Sequence, residues 1–113
     1  MISILQDEVK VPLKDTADGL DEAVAFMRPM DVVDRARWID KSAEMGMLER
    51  GVTLARLQVV RIEGLEVQGL DGTLVPFDVK NDTHFAALPF ESVTKMYYAV
   101  LIPSSLTEEQ EKN

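Results

Sequence analysis

Apolar and polar residues alternate near the start of the chain, and this pattern predicts a short β-strand over residues 9–13. Pro12 places that strand at a sheet edge or a strand end, because proline has no N–H to donate to a ladder. After a turn-like segment, residues 22–27 either return as a second strand or form a helix, a state that their alanines also suit. We expect the first of these, an N-terminal β-hairpin, and keep the helix as the alternative.

The pattern then changes to spacings of three and four, which predict an α-helix over residues 32–47. Asp31 is a typical N-cap residue, since its carboxylate can accept a free backbone N–H of the first turn. Asp34 also favours a helix start here, because a negative charge near a helix N-terminus is stabilising. One stripe of this helix is expected to be buried, and it consists of Val32, Ala36, Ile39, Ala43 and Met47.

Trp38 and Met45 lie on a different side of that helix, roughly 120–140° from the stripe at about 100° per residue. Two interpretations are open. In the first, Trp38 packs beneath a neighbouring element of the same domain. In the second, these residues form a partner-binding or oligomer surface, where Trp and Met are enriched.

Gly51 is expected to break or kink the polypeptide chain between the first helix and a second one. The competing pattern is residues 57–62, which are β-branched enough for a strand. The helix is favoured by four apolar residues that are again three and four apart, namely Val52, Ala55, Val59 and Ile62.

Glycines dominate the next segment. Gly64 and Gly69 end regular structure, and Asp71-Gly72 between apolar pairs is a hairpin-turn signal, because glycine adopts positive φ at little cost. We therefore expect a small hairpin or an ordered loop within residues 64–77.

Two further helices are predicted near the C-terminal end. Asn81 and its neighbours can cap a short helical turn, and Pro89 suits the first turn of a final helix that Pro103 stops. Residues 104–113 are polar and are expected to form a tail. The apolar face of the final helix comprises Phe90, Val93, Tyr97, Val100 and Leu101.

These elements predict a mainly α or an α+β fold, with three to four helices, a small N-terminal β-hairpin and a short turn-bearing segment near residues 64–77. The chain has 113 residues, of which 46% are hydrophobic, and this is enough for one core. We expect residues 1–103 to form a single globular domain.

The charge balance narrows the classes of partner. With 20 acidic and 12 basic residues the net charge is -8, which disfavours nucleic acid, because binding to phosphates depends on Lys and Arg. The chain has no cysteine, so disulfides and thiolate chemistry are excluded. No run is apolar and long enough to span a bilayer, and the first residues do not resemble a signal peptide. We expect a cytosolic protein that works without a membrane.

Candidate catalytic chemistry is sparse, and we expect neither an enzyme nor a cofactor. His84 is the single histidine, and its neighbours are typical of a helix start. Asp78, Asn81 and Asp82 carry oxygen ligands, yet they lack the glycine and the bidentate Glu of a calcium loop. The glycines of residues 64–72 lie among acidic residues and precede no clear helix, which excludes a phosphate-binding loop. No metal site is predicted either.

Over roughly residues 24–101 the chain resembles the small tail assembly chaperones of long-tailed bacteriophages. The resemblance rests on the order of five short motifs: Arg28-Pro29-Met30, the segment from Asp34 to Trp38, Ile62-Glu63-Gly64, Asp71-Gly72 followed by Pro76-Phe77, and Leu88-Pro89 before an apolar helix.

The resemblance implies a non-enzymatic role. Such chaperones coat the long, helix-rich tape measure protein, keep it soluble, and release it as tail tube subunits polymerise. It therefore implies work in the host bacterial cytoplasm, absence from the mature virion, self-association, and the tape measure protein as partner, with the tail tube protein as a second candidate. The residues that we expect to contribute to the partner or self-association surface are Arg37, Trp38, Lys41 and Met45.

The resemblance also implies that a longer form can exist, because the family often makes one by ribosomal frameshifting. The ending Glu111-Lys112-Asn113 can be encoded by a slippery A-rich run, and the coding sequence would test this.

Two alternative functions stay open. The chain can instead be another phage morphogenesis protein, such as a head–tail connector or a tail completion protein. From a different class, a small acidic regulatory module that binds proteins fits the same composition.

Overall fold

A computed structural model describes residues 8–101 of the chain. Within this range the fold is α+β, with four helices and two small antiparallel sheets, as one of the two predicted classes requires. No helix in this range is long and apolar enough to cross a membrane. The elements in chain order are β1 (Val9–Pro12), β2 (Val24–Met27), α1 (Val32–Lys41), α2 (Met47–Gln58), β3 (Val59–Glu63), β4 (Glu66–Gln68), β5 (Leu74–Pro76), α3 (Asp82–Ala86) and α4 (Phe90–Leu101).

The predicted N-terminal hairpin is confirmed, and it belongs to a three-stranded antiparallel sheet in the order β1-β2-β3. Val11 pairs with Ala25, which pairs in turn with Ile62, so all three point to one face of the sheet. That face is buried, and α4 packs against β1 and β2 while α2 packs against α4. The core therefore lies between one sheet face and two helices.

The opposite face of this sheet is covered by charged side chains. The ring of Phe26 is buried there, with the Arg61 guanidinium 4.0 Å and the Lys10 ammonium 5.8 Å from its centroid. Arg61 also donates hydrogen bonds to Glu63 at 2.6 Å and Glu8 at 2.7 Å, and these bonds raise its pKa above the ordinary value. An aromatic residue on the solvent side is thus covered without a second layer of structure.

The predicted single helix over residues 32–47 is wrong in its extent, because α1 ends at Lys41 and α2 begins at Met47. Arg50 holds the intervening turn: its Nη2 donates to the carbonyl oxygens of Ser42 and Met45, both at 3.1 Å. Gly46 then starts α2 in an extended conformation. A side chain of α2 thus binds two backbone carbonyls of the segment that joins the helices, and this holds the turn between α1 and α2.

The face of α1 predicted to be buried is also wrong. Val32 is 81% exposed and Ile39 is 62% exposed, whereas Trp38 is 5% exposed and lies in the core. Ala36, Ala43 and Met47 are exposed as well. A Trp side chain buries more area than any single one of these residues, and the rest of the core covers the Trp38 side of α1. Trp38 packs within its own domain, the first of the two interpretations.

The second predicted helix is right up to Gln58 and wrong beyond it, where β3 forms. This β-branched segment forms a strand because it pairs with β2, in agreement with the alternative prediction of a strand within residues 57–62. Gly51 does not break the helix. It lies inside α2, and a Cβ built there would be 3.9 Å from Cγ of Tyr97, so α4 packs directly against the α2 backbone.

The turn-bearing segment forms the predicted hairpin. β4 and β5 pair with Val67 opposite Val75, and Gly72 takes a φ of 85° in the turn between them. The Asp71 carboxylate accepts the backbone N–H of Thr73 at 3.0 Å, and this bond lowers the pKa of Asp71. Local turn chemistry was sufficient to find this element.

The two last helices are placed as predicted. The Asn81 side chain accepts the N–H groups of Thr83 at 2.9 Å and His84 at 3.2 Å, which caps α3. Helix α4 follows Pro89 and buries Val93 and Val100 of the predicted face, together with Met96. Phe90, which was also expected on that face, is 57% exposed. Pro103 and the expected polar tail lie outside the described residues.

Candidate protein-binding site

A groove with an apolar floor and a charged rim lies between α1, the C-terminal half of α2 and the segment that follows β2. Its volume is about 370 Å³, in the lower part of the range typical of ligand pockets, roughly 300–1,000 Å³. We call it the basic groove, and its walls are formed by Arg28, Pro29, Met30, Asp34, Arg37, Trp38, Lys41, Leu54, Leu57 and Gln58.

Helix α1 supplies four of these residues from one side. Asp34, Arg37, Trp38 and Lys41 are spaced by three and four, so they share one face of the helix. The start of this helix is secured by Asp31, whose carboxylate accepts the backbone N–H of Asp34 at 2.7 Å. With Trp38 inserted into the core, the three charged side chains are left along the rim.

The opposite wall is fixed by a reciprocal set of hydrogen bonds. The backbone N–H of Arg28 donates to the carbonyl of Gln58 at 2.7 Å, and the Gln58 side-chain amide donates back to the Arg28 carbonyl at 3.0 Å. Nη2 of Arg28 also donates to the carbonyl of Leu57 at 2.8 Å. These bonds continue the β2–β3 pairing and tie the Arg28 guanidinium to the end of α2.

The floor of the groove is apolar. Met30, Trp38 and Leu54 are buried core residues whose edges line it, and Leu57 is 43% exposed at its mouth. An exposed apolar side chain beside a buried aromatic ring favours contact with another apolar group, because such contact removes both from water.

The rim is basic in an acidic chain. Arg28, Arg37 and Lys41 face a single carboxylate, Asp34, whereas the whole chain carries a net charge of -8. Among residues 8–101 neither Arg37 nor Lys41 takes part in an ion pair. The groove is therefore a local positive site.

Three of the four residues predicted from the sequence meet here: Arg37, Trp38 and Lys41. Met45 does not line the groove; it is partly buried and packs against the core. Sequence reasoning missed Arg28 and Leu57 as members of this site, since only the pairing of β2 with β3 brings the segment after β2 against the end of α2.

The other side of α1 is different. Val32, Ala36 and Ile39 lie on the helix face roughly 180° from the groove residues, at about 100° per residue, and all three are exposed. We call these three residues the outer stripe. Helix α1 thus separates two surfaces, one basic and concave and the other apolar and convex.

Catalytic groups do not gather at either surface. Nδ1 of His84 accepts the backbone N–H of Asp78 at 3.0 Å, a bond that holds the start of α3. Thr16 and Ser92 share a hydroxyl–hydroxyl bond of 2.6 Å that ties the β1–β2 loop to α4. Over the described range, no three His, Cys, Asp or Glu side chains are placed to hold a metal ion.

Comparisons of this chain with protein families, with characterised proteins and with solved structures found no match. The surfaces around α1 therefore have to be interpreted from their own geometry and chemistry.

Proposed function

We propose that this protein is a non-enzymatic tail assembly chaperone of a long-tailed bacteriophage, and that it binds and solubilises the tape measure protein. The observation that carries the proposal is the outer stripe, an apolar helix face that no other part of residues 8–101 covers. The resemblance of residues 24–101 to that family supplies the identity of the partner.

The outer stripe has the chemistry that a helical partner needs. Its side chains recur at three and four residues, as do those of an amphipathic helix laid against another helix. Fully burying a Val or Ile side chain contributes roughly 1.5–3 kcal/mol, so Val32 and Ile39 together supply about 3–6 kcal/mol before the cost of association. Each contact is then weak, which suits a coat of many copies that must later be released.

The net charge fits the same role. A chain with a charge of -8 repels other coated complexes and keeps a long apolar partner in solution. We place the protein in the host bacterial cytoplasm and outside the mature virion. Neighbouring copies associate along the bound partner, and the tail tube protein is the second partner of the assembly.

Co-expression with the tape measure protein of the same phage tests this function. We expect the tape measure protein to become soluble and to co-purify with the wild-type chain. The double variant Val32→Ser/Ile39→Ser should lose both properties. Leu70→Ser/Leu74→Ser, which changes two exposed apolar residues of the β4–β5 hairpin, is the matched control and should keep them.

Two outcomes would contradict the proposal. A tape measure protein that stays insoluble beside a folded wild-type chain removes the chaperone role. Recovery of the protein as a fixed ring within purified virions would instead identify a head–tail connector or a tail completion protein.

A further inference from the structure

We propose that the basic groove is a second binding site, which takes an acidic segment of a protein partner through one apolar side chain on the floor and carboxylates on the rim. This site is on the opposite face of α1 from the outer stripe, so the inference does not depend on what the outer stripe binds.

The floor accounts for the apolar anchor. Leu57 stays exposed at the mouth of the groove, beside the buried ring of Trp38 and the buried side chain of Leu54. An aliphatic or aromatic side chain from a partner would cover Leu57 and extend the core outward. An apolar centre with a polar rim is the usual arrangement of a protein–protein interface.

The rim accounts for the carboxylates. Arg37 and Lys41 are four residues apart on α1, which places them about 6 Å apart along the helix axis. Two carboxylates one helical turn apart on a partner helix would match them. Arg28 faces them from the other wall, and its hydrogen bond to Leu57 limits its freedom before a ligand arrives.

Asp34 gives the site a direction. It lies on the rim one turn before Arg37 and Trp38, so the rim is negative at the start of α1 and positive towards its end. A partner segment with its acids at the Arg37 and Lys41 end and a neutral or basic residue at the Asp34 end would fit, and the reversed charge order would be repelled.

Charge also favours protein over nucleic acid as the ligand. Three cations can pair with two or three carboxylates, but a nucleic acid would extend beyond the groove over a chain with a net charge of -8.

Fluorescence anisotropy with synthetic peptides tests the site. The probe is a labelled peptide of about 14 residues with one Phe as the apolar anchor, Glu residues at i and i+4 and a Lys at the opposite end. Its controls are the same peptide with Gln in place of Glu, the same peptide with Ala in place of the anchor, and a labelled single-stranded oligonucleotide. Each is measured against wild type, Arg37→Glu/Lys41→Glu, Leu57→Ser, and Lys14→Glu/Lys80→Glu.

The last variant is the matched control, since it makes the same change in net charge with two exposed lysines that do not line the groove. We expect the groove variant to weaken binding of the acidic peptide by about tenfold or more and the control by less than about twofold. Leu57→Ser should weaken it also, and the Gln and Ala peptides should bind poorly. Binding should fall between about 0.05 M and 0.5 M salt.

Other results would overturn the proposal. Equal losses in the two charge variants would mean that only net charge matters. Equal or tighter binding of the oligonucleotide would make the groove a nucleic-acid site. A change in oligomeric state caused by Arg37→Glu/Lys41→Glu, with peptide binding intact, would assign the groove to a second copy of the chain. Val32→Ser/Ile39→Ser should leave peptide binding unchanged. This variant therefore distinguishes a failure of the chaperone proposal from a failure of the groove proposal.

Discussion

Helices α1 and α4 are both amphipathic, yet they place their apolar residues in opposite ways. Helix α4 buries Val93, Met96 and Val100 against the sheet and α2. Helix α1 buries Trp38 and leaves Val32 and Ile39 in solvent. The period of a pattern identifies the faces of a helix, but the neighbours that the fold supplies decide which face is covered. Trp38 is the buried residue of α1, so one large side chain anchors this helix, and the outer stripe on its opposite face is left in solvent.

The largest effect is expected at that single attachment. Trp38→Ala should destabilise the protein by about 3–5 kcal/mol, because it removes a buried aromatic ring and leaves a cavity in the core. Denaturant unfolding followed by far-ultraviolet circular dichroism measures the change. Tyr98→Ala, on the exposed side of α4, is the control and should stay within about 1 kcal/mol of wild type. A cost for Trp38→Ala as small as that of the control would mean that α1 is not anchored by this residue.

The corresponding change in α4 is Met96→Ala, at a fully buried position. We expect a loss of about 2–5 kcal/mol from the free energy of unfolding. Hydrogen exchange should show a second difference: Trp38→Ala exposes mainly the amides of α1, whereas Met96→Ala lowers protection throughout the core. Uniform loss of protection in both variants would remove the distinction between a loosely and a firmly attached helix.

A smaller effect is expected at the cap of α1. Asp31→Ala removes the hydrogen bond to the N–H of Asp34 and should cost about 0.5–2 kcal/mol. Asp31→Asn retains an acceptor oxygen and should restore most of the loss. If Asn and Ala behave alike in denaturant unfolding, the contribution of Asp31 comes from its charge near the helix N-terminus and not from the cap.

The smallest effect on stability is expected at the outer stripe. Val32→Ser/Ile39→Ser should change the free energy of unfolding by less than about 1 kcal/mol, since both side chains are already exposed. The same variant should lose partner binding, as described above. A large loss of stability would show that the outer stripe is covered within the chain, and it would make α1 resemble α4.

Much of the fold could be predicted where the signal is local. The Asp71-Gly72 turn, the Asn81 cap and Pro89 each act within a few residues. The sequence therefore predicts the β4–β5 hairpin, α3 and α4 correctly. Residues 59–62 could not be assigned in this way, because the β-branched segment becomes a strand only through its pairing with β2.

The candidate site was predictable only in part for the same reason. Trp38 and Met45 are candidates because they share one side of the predicted helix, and Arg37 and Lys41 because they are near Trp38 in sequence. Three of these four residues, all but Met45, line one groove. Arg28 and Leu57 joined them through hydrogen bonds between segments that are 29 residues apart in sequence. Spacing within one element indicates a face, whereas a concave site requires a second element opposite it.

By itself, the sequence determined the turns, the caps, the helical period of α1 and α4, and the acidic net charge, since each depends on residues that are neighbours along the chain. The tertiary structure decided that Trp38 faces inward, that Val32 and Ile39 face outward, and that a basic groove exists in an acidic protein. The physical reason is that burial is a property of packed neighbours: the free energy gained by covering Trp38 depends on the core residues that the rest of the fold brings to it.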